Sequence, residues 1–322
     1  MQTKIKTALD SNRKLWAWGA GAAAVAGLAA YNLSRTRRAE ADNPPVGEFV
    51  EVDGVQLHYL AQGSGSPVVL LHGNGATLED WTASDLFDQL AANHRVIAFD
   101  RPGFGYSERP RTTVWTPRAQ AALIAGALEA LGIERPLVVG HSFGTLVTLA
   151  LALDFPEQVS GIVLIGGYFY GTPRADAVLA SPAALPVVGD AMRYTVSPLI
   201  AQAVSPLAKK KIFHPAPVAE TFDAFPIELA YRPSQIRAEA AEAGMMIPAA
   251  MALNERLGEL DLPVTIIAGE GDKMVLPGPQ SKRLHEALPG SRLHMIEGAG
   301  HMVHYTATAA VAGAIEEAAR AA

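Results

Sequence analysis

The chain of 322 residues contains no cysteine. This absence excludes disulfide bonds, thiolate catalysis and zinc sites with cysteine ligands. A surplus of basic residues is also lacking, because 26 lysines and arginines stand against 32 aspartates and glutamates, for a net charge of -6. Nothing in this balance indicates nucleic acid as a partner. Internal repeats are absent too, so the length predicts one large domain with an insertion.

Charged residues are absent from residues 15–33, near the N-terminus. A helix of this length spans roughly 28 Å, close to the hydrocarbon thickness of a bilayer, about 30 Å. Aromatic residues lie near both ends, and basic residues flank the stretch on both sides, which leaves the side of the membrane undetermined. We therefore expect residues 1–47 to form a basic segment, a single membrane-anchoring helix at residues 15–33 and a linker.

Two alternatives to an anchor stay open. The first is a signal peptide of a secreted or periplasmic protein, with Ala39-Glu40-Ala41 as a formal cleavage site. Three arginines separate this site from the apolar stretch, and such a flank disfavours cleavage. The second is an Ala- and Gly-rich helix that packs on protein. In each case residues 39–47 are typical of a linker, because Pro44 and Pro45 cannot continue a helix.

Apolar segments of strand length alternate with helical segments from residue 48 onwards. Strands are predicted at residues 48–52, 55–61, 67–71, 95–99, 136–140, 159–165, 263–268 and 292–296. Helices are predicted at residues 80–92, 117–131, 143–155, 280–287 and 302–321. This alternation indicates an α/β fold with a mostly parallel sheet that helices cover on both faces.

The alternation stops between the sixth and seventh predicted strands. Residues 168–260 contain many prolines and no segment typical of a core strand, although a strand-to-strand crossover needs only about 30 residues. Because structureless loops of this length are rare, we expect a helical insertion that covers the site as a lid. The core is then divided into residues 48–167 and residues 261–322.

The segment Gly140-His141-Ser142-Phe143-Gly144 lies between a predicted buried strand and a predicted buried helix. Its G-x-S-x-G pattern permits a sharp turn, since glycine has no side chain that would crowd a strained serine. Ser142 is thereby expected at a helix N-terminus, where free N–H groups favour developing negative charge. In this context the motif indicates a nucleophilic serine, and the alternative is a structural serine in a tight turn.

Three further polar segments follow predicted strands directly, and they contain Asn74, Asp272 and His301. Ligands of open α/β sheets bind at the carboxyl ends of the strands, so these residues are expected near Ser142. Other polar residues have more ordinary interpretations. The adjacent Asp100 and Arg101 indicate a solvated loop or a structural ion pair.

No metal or cofactor is predicted. His72 and His141 flank the expected site, but two histidines without nearby carboxylates are weak evidence for a metal. Cysteine ligands are excluded by the composition.

With these motifs in place, the chain resembles the α/β-hydrolase superfamily, in the lid-bearing branch of esterases, C–C bond hydrolases and cofactor-free haloperoxidases. The resemblance covers residues 48–167 and 260–320, and the chain order Ser…Asp…His is typical of the family. Carried over by position, it implies Ser142 as nucleophile, Asp272 as acid and His301 as base. It also implies an oxyanion hole formed by the backbone N–H groups of Phe143 and Asn74.

The acid and the base each have a rival. Glu270 lies two residues before Asp272, and His304 lies three residues after His301, within the predicted helix. Some lidded relatives take their acid from the segment after the sixth strand. Residues 166–168 offer no carboxylate there, which favours Asp272.

The resemblance implies a serine hydrolase that cleaves carboxylic esters or lactones through an acyl-enzyme. Aromatic and methionine side chains of the insertion favour a small, lipophilic substrate with an apolar acyl or alcohol group: Phe169, Tyr170, Tyr194, Phe213, Phe222, Phe225 and Met245. The alternatives are a C–C bond hydrolase, a cofactor-free haloperoxidase or perhydrolase, and a non-catalytic ligand-binding protein on the same fold. The oligomeric state is not predicted.

Overall fold

The computed structural model describes residues 2–173 and 179–322. Its strands form one sheet and are β1 Glu48–Val52, β2 Val55–Gln62, β3 Pro67–Leu71, β4 Arg95–Phe99, β5 Leu137–His141, β6 Gly161–Ile165, β7 Val264–Gly269 and β8 Arg292–Ile296. The α-helices of the described residues are α1 Gln2–Asp42, α2 Glu79–Ala83, α3 Leu86–Ala91, α4 Pro117–Ala130, α5 Gly144–Asp154, α6 Val188–Tyr194, α7 Val196–Phe213, α8 Ile227–Ala230, α9 Pro233–Asn254, α10 Arg283–Ala287, α11 Val303–Thr306 and α12 Thr308–Ala321.

The strands lie in the order β1-β2-β4-β3-β5-β6-β7-β8. The pairs β1–β2 and β2–β4 are antiparallel, and every later pair is parallel. The central strands consist almost wholly of buried β-branched and aliphatic residues, as expected for strands that helices cover on both faces. The predicted mostly parallel α/β fold is confirmed, and it brings the ends of β3, β5, β7 and β8 to one edge of the sheet.

Alternate residues of the central strands belong to two separate hydrophobic cores. Val69 and Val138 pack with α4 and α5 on one face. Val68 and Val139 pack with α2, α3 and α12 on the other face. Because side chains alternate along a strand, each buried strand serves both cores. Each fully buried aliphatic side chain contributes about 1.5–3 kcal/mol, so both cores stabilise the sheet that carries the site.

The helices match their predicted positions, with local breaks. The helix expected at residues 80–92 is divided into α2 and α3, because Asp85 adopts a left-handed conformation with φ of 62°. The last helix is divided at Ala307, whose φ of -144° and ψ of 44° are not helical and separate α11 from α12. Helices α6 to α9 lie between β6 and β7. They form the expected insertion over the carboxyl edge of the sheet.

The prediction of a membrane anchor at residues 15–33 is wrong. Among the described residues, no helix combines the length and the apolar character that a membrane crossing requires. Alanine and glycine make up most of residues 15–33, and these small side chains add little apolar surface. Length, absence of charge and basic flanks were therefore not sufficient evidence for a membrane-spanning helix.

Helix α1 is longer than expected and is held by the insertion. It continues through the first part of the predicted linker to Asp42. The Asn32 side-chain amide donates hydrogen bonds to the carbonyls of Tyr194 and Thr195, at 3.0 and 2.6 Å. Its contacts thus place the end of α1 on the helices that cover the site.

Candidate active site

Ser142 occupies a sharp turn between β5 and α5. Its φ of 51° lies in the left-handed region, which costs about 1–3 kcal/mol for a non-glycine residue. The neighbouring glycine makes this turn possible. A Cβ atom at Gly144 would lie 2.2 Å from the carbonyl oxygen of Leu71. The backbone N–H of Ser142 donates to the Ile165 carbonyl at 2.9 Å, so the strained residue is held against the neighbouring strand.

Asp272 and His301 meet at the carboxyl ends of β7 and β8. The Nδ1 atom of His301 lies 2.7 Å from Oδ2 of Asp272, while Oδ1 accepts the N–H groups of Met274 and Val275 at 2.7 and 2.8 Å. An ionised carboxylate only accepts hydrogen bonds, so Nδ1 carries the proton. The lone pair of Nε2 is then available as a base.

The two rival residues lie elsewhere. Glu270 is exposed to solvent. His304 is fully buried, and its Nε2 atom lies 3.1 Å from Oδ2 of Asp80 rather than beside Asp272. The structure therefore brings Asp272 and His301 together and leaves both alternatives outside that contact.

A cavity of about 370 Å³ lies between the sheet edge and the insertion. Both Ser142 and His301 line it, and so do Asn74, Phe222 and Phe225. The two phenylalanines were among the insertion residues expected to favour an apolar substrate. Most of the remaining lining is apolar as well, as is usual for small-molecule sites. The Ser142 hydroxyl and the His301 imidazole thus share one largely apolar chamber.

The loop after β3 approaches the serine closely. A Cβ atom at Gly73 would lie 3.1 Å from Cβ of Ser142. Within the described chain, the backbone N–H groups of Asn74 and Phe143 donate to no protein acceptor. Free N–H groups beside a nucleophile have the arrangement that stabilises an oxyanion.

A family model of the α/β-hydrolase fold matches residues 66–308, which span β3 to the start of α12. The chain belongs to the α/β-hydrolase family. Its match includes the serine turn, the segments of Asp272 and His301, and the insertion between β6 and β7. The fold and the hydrolase class expected from the sequence are thereby confirmed.

Relatives in this family include hydrolases of different bonds. A 2-hydroxy-6-oxo-2,4-heptadienoate hydrolase from Pseudomonas putida is 28% identical over 267 residues, which cover 81% of this chain and 91% of that protein. The structure of an esterase from Rhodococcus sp. ECU1013 matches with a TM-score of 0.66 at 25% identity, over 85% of this chain and 98% of that one. A membrane phospholipase A matches over 97% of each chain with a TM-score of 0.67; its 22% identity shows the fold alone.

A buried polar network beneath the cavity was missed by sequence reasoning. Arg101 is fully buried, and its guanidinium donates to the carbonyls of His72 and Gly73, at 2.7 and 3.0 Å. The same guanidinium pairs with the Glu242 carboxylate of α9. Burial, with Arg101 as the second cause, lowers the pKa of His72 to about 3, so this imidazole stays neutral. The buried Arg101 side chain thus holds the loop that carries Asn74 through the two preceding carbonyls.

Of the two expectations for Asp100 and Arg101, the solvated loop is wrong, and the structural ion pair is found for Arg101 with Glu242. Both side chains are fully buried, and they pair with different partners. The Asp100 carboxylate contacts the His58 ring at 2.6 Å and accepts the Leu78 N–H at 2.8 Å. These partners are distant in sequence, so the local pattern could not identify them.

His141 contacts the backbone of the candidate base, His301. Its Nε2 atom lies 3.1 Å from the His301 carbonyl, and its Nδ1 atom has no hydrogen-bond partner. Burial, reinforced by His304 and His301, lowers the pKa of His141 well below its usual value. The neutral ring therefore donates through Nε2 and positions the backbone of His301.

One group of described residues has the donor types and spacing of a metal site. It consists of Asp80, His141 and His304, whose ligand atoms lie within 4.8 Å of one another. No carboxylate was predicted near His141, because Asp80 lies on α2 and is distant from it in sequence. The Asp80 carboxylate already contacts His304 at 3.1 Å. This contact accounts for the cluster as a polar network.

Proposed function

We propose that this protein is a serine hydrolase that cleaves carboxylic esters or lactones, with Ser142 as nucleophile, His301 as general base and Asp272 as the acid that orients it. The observation that carries the proposal is the shared cavity. A strained serine at the strand–helix turn and an imidazole held by a buried carboxylate line the same chamber.

The mechanism follows from this arrangement. The Ser142 hydroxyl attacks the ester carbonyl while Nε2 of His301 takes its proton. Asp272 holds the tautomer in which Nε2 accepts, and it stabilises the imidazolium that forms. The N–H groups of Asn74 and Phe143 stabilise the oxyanion, each contributing about 3–4 kcal/mol. His301 then donates the proton to the leaving alcohol, and water hydrolyses the acyl-enzyme by the same steps.

The cavity lining supports a lipophilic ester without a negative charge. Phe222, Phe225 and Met246 face the chamber from the insertion. Among the described residues that line it, none is a lysine or an arginine. An apolar acyl or alcohol group would gain about 25 cal/mol for each Å² that it buries there.

Cleavage of a C–C bond is the second candidate, because the Pseudomonas putida relative is a 2-hydroxy-6-oxo-2,4-heptadienoate hydrolase that aligns over 91% of its length. A dienoate carries a carboxylate. Burying that charge without a cationic partner is costly, and the described lining of this cavity offers carboxyl groups instead. The lining therefore favours an ester over an anionic diketone.

The test uses a fluorophosphonate reagent together with p-nitrophenyl esters of increasing acyl length. The wild-type protein should be labelled and should hydrolyse the esters, and Ser142→Ala should lose both activities while unfolding at the same temperature. Ser205→Ala is the matched control, since Ser205 lines the same cavity and should retain labelling. Wild-type labelling in Ser142→Ala would refute the nucleophile. Faster turnover of a dienoate ring-fission product than of any ester would favour the second candidate.

A further inference from the structure

Glu239 brings a carboxyl group from the insertion into the chamber of Ser142. It lies on α9 and lines the cavity. A Cβ atom built on Gly75 would lie 3.5 Å from the carboxyl carbon of Glu239. The Asn74 side-chain amide donates to the Glu239 carbonyl at 3.2 Å. The helix is therefore fixed against the candidate oxyanion loop, and its carboxyl group lies beside that loop.

The Glu239 carboxyl has no countercharge in the described part of the chain. Its acidic neighbour Glu242 is matched by Arg101 at 2.5 Å and by Arg109 at 3.8 Å. Among the hydrogen bonds of residues 2–173 and 179–322, none joins the Glu239 carboxyl to a protein group. The Glu239 side chain is partly buried and lines the chamber, so its unpaired carboxyl is available to a ligand.

The charges around the chamber are otherwise acidic or neutral. Asp80 also lines it, but its carboxylate is engaged by His304. His301 is held by Asp272. Burial, with Glu242 as the second cause, raises the pKa of Glu239 to about 7. The chamber therefore gains a negative charge near neutral pH, and a bound cation would favour that ionisation further.

We propose that Glu239 forms a charge-selective subsite, which binds a cationic group of the ester substrate, such as an ammonium, and excludes esters that carry a carboxylate. This inference rests on the proposed ester hydrolysis and names the substrate class within it. Tyr231 and Phe225 line the same chamber. Their ring faces would add attraction for a quaternary ammonium.

The test compares three p-nitrophenyl esters with similar acyl shapes: 4-(trimethylammonio)butyrate, 5,5-dimethylhexanoate and the monoester of glutarate. We expect kcat/KM to rank cationic, neutral, anionic at pH 8. The ratio of cationic to anionic kcat/KM should rise by roughly tenfold between pH 6 and pH 8, as Glu239 ionises. Any ionisation that affects the hydrolysis of all three esters equally cancels in the ratio.

Variants assign the effect to one side chain. Glu239→Gln should lower the ratio at pH 8 by roughly tenfold and remove its dependence on pH. Glu255→Gln is the matched control, because it removes the same charge from an exposed position just after α9 and should keep the wild-type ratio. A ratio that is unchanged in Glu239→Gln, or flat with pH in the wild type, would overturn the subsite.

Binding separates this inference from the proposed hydrolysis. Calorimetry with pentyltrimethylammonium and with hexanoate measures the same preference without turnover. Preferential binding of the cation without hydrolysis of any ester would refute the esterase and retain the subsite. Hydrolysis of all three esters at equal rates, with equal binding, would refute the subsite and retain the esterase.

Discussion

The Glu242 carboxylate and the Arg101 guanidinium form a two-pronged ion pair, at 2.5 and 3.0 Å, in which neither side chain is exposed. Arg101 also holds the carbonyls of His72 and Gly73. A single contact therefore connects α9 of the insertion to the loop that carries Asn74. The helices over the cavity and one candidate oxyanion donor are positioned by the same buried charge pair.

Removing one partner of this pair should destabilise the protein strongly. Glu242→Ala leaves the Arg101 charge buried without its carboxylate, and such changes cost about 3–5 kcal/mol. We expect this loss in urea unfolding, together with a fall in kcat as the loop loses its support. Glu317→Gln is the control, since Glu317 pairs with Arg292 on the surface, both about half exposed, and should cost less than about 1 kcal/mol. Equal losses in the two variants would contradict the structural role.

Asp272→Asn tests the orientation of His301. The asparagine can still accept the N–H groups of Met274 and Val275, but its amide would donate to Nδ1 of His301. That bond selects the tautomer in which Nε2 carries a proton and cannot act as a base. We expect kcat to fall by about 10⁴ with little change in melting temperature. Glu270→Gln, at an exposed position, should keep the wild-type kcat. A larger fall in kcat in Glu270→Gln than in Asp272→Asn would show that Asp272 is not the acid.

The serine turn should not accept a side chain at Gly144. In Gly144→Ala the new Cβ would lie 2.2 Å from the Leu71 carbonyl oxygen and 2.7 Å from that of His72. Backbone atoms cannot move aside easily, so we expect a loss of at least about 2 kcal/mol and of ester hydrolysis. Gly313→Ala lies in α12 with nothing within 4 Å and should stabilise the protein by about 0.5–1 kcal/mol. Thermal unfolding of both variants decides, and a tolerated Gly144→Ala would argue against the tight turn.

The ionisation of Glu239 should be visible in stability as well. Its pKa is raised from 4.5 to about 7 on folding, so the folded protein retains a proton that the unfolded chain releases. Stability should therefore fall as the pH rises from 4.5 to 7, and Glu239→Gln should lack that component. We expect the wild type to lose about 2–3 kcal/mol relative to this variant across the window. Urea unfolding from pH 4.5 to 8 measures this difference, because the other titrating groups contribute equally to both proteins. If the two curves of unfolding free energy against pH were parallel, a raised pKa of Glu239 would be excluded.

Local patterns were sufficient for the sheet and for the serine turn. Strand positions follow from short β-branched runs, and the turn follows from two glycines around Ser142, because these constraints act between neighbours in the chain. Helix breaks such as the one at Asp85 were not predictable, since a single left-handed residue leaves the apolar periodicity almost unchanged. The assignments of Asn74, Phe143, Asp272 and His301 to catalytic roles stay predictions that the variants above test.

The sequence by itself determined the α/β order of elements and the chemical groups at the carboxyl ends of the strands, because periodicity and turn chemistry are local. Tertiary structure alone decided which charges meet. The pairs Arg101–Glu242 and Asp80–His304 join distant segments, and Glu239 enters the chamber only because α9 folds over the sheet edge. The absence of charge was misleading at residues 15–33, since the apolar character of a helix depends on the apolar surface of its side chains.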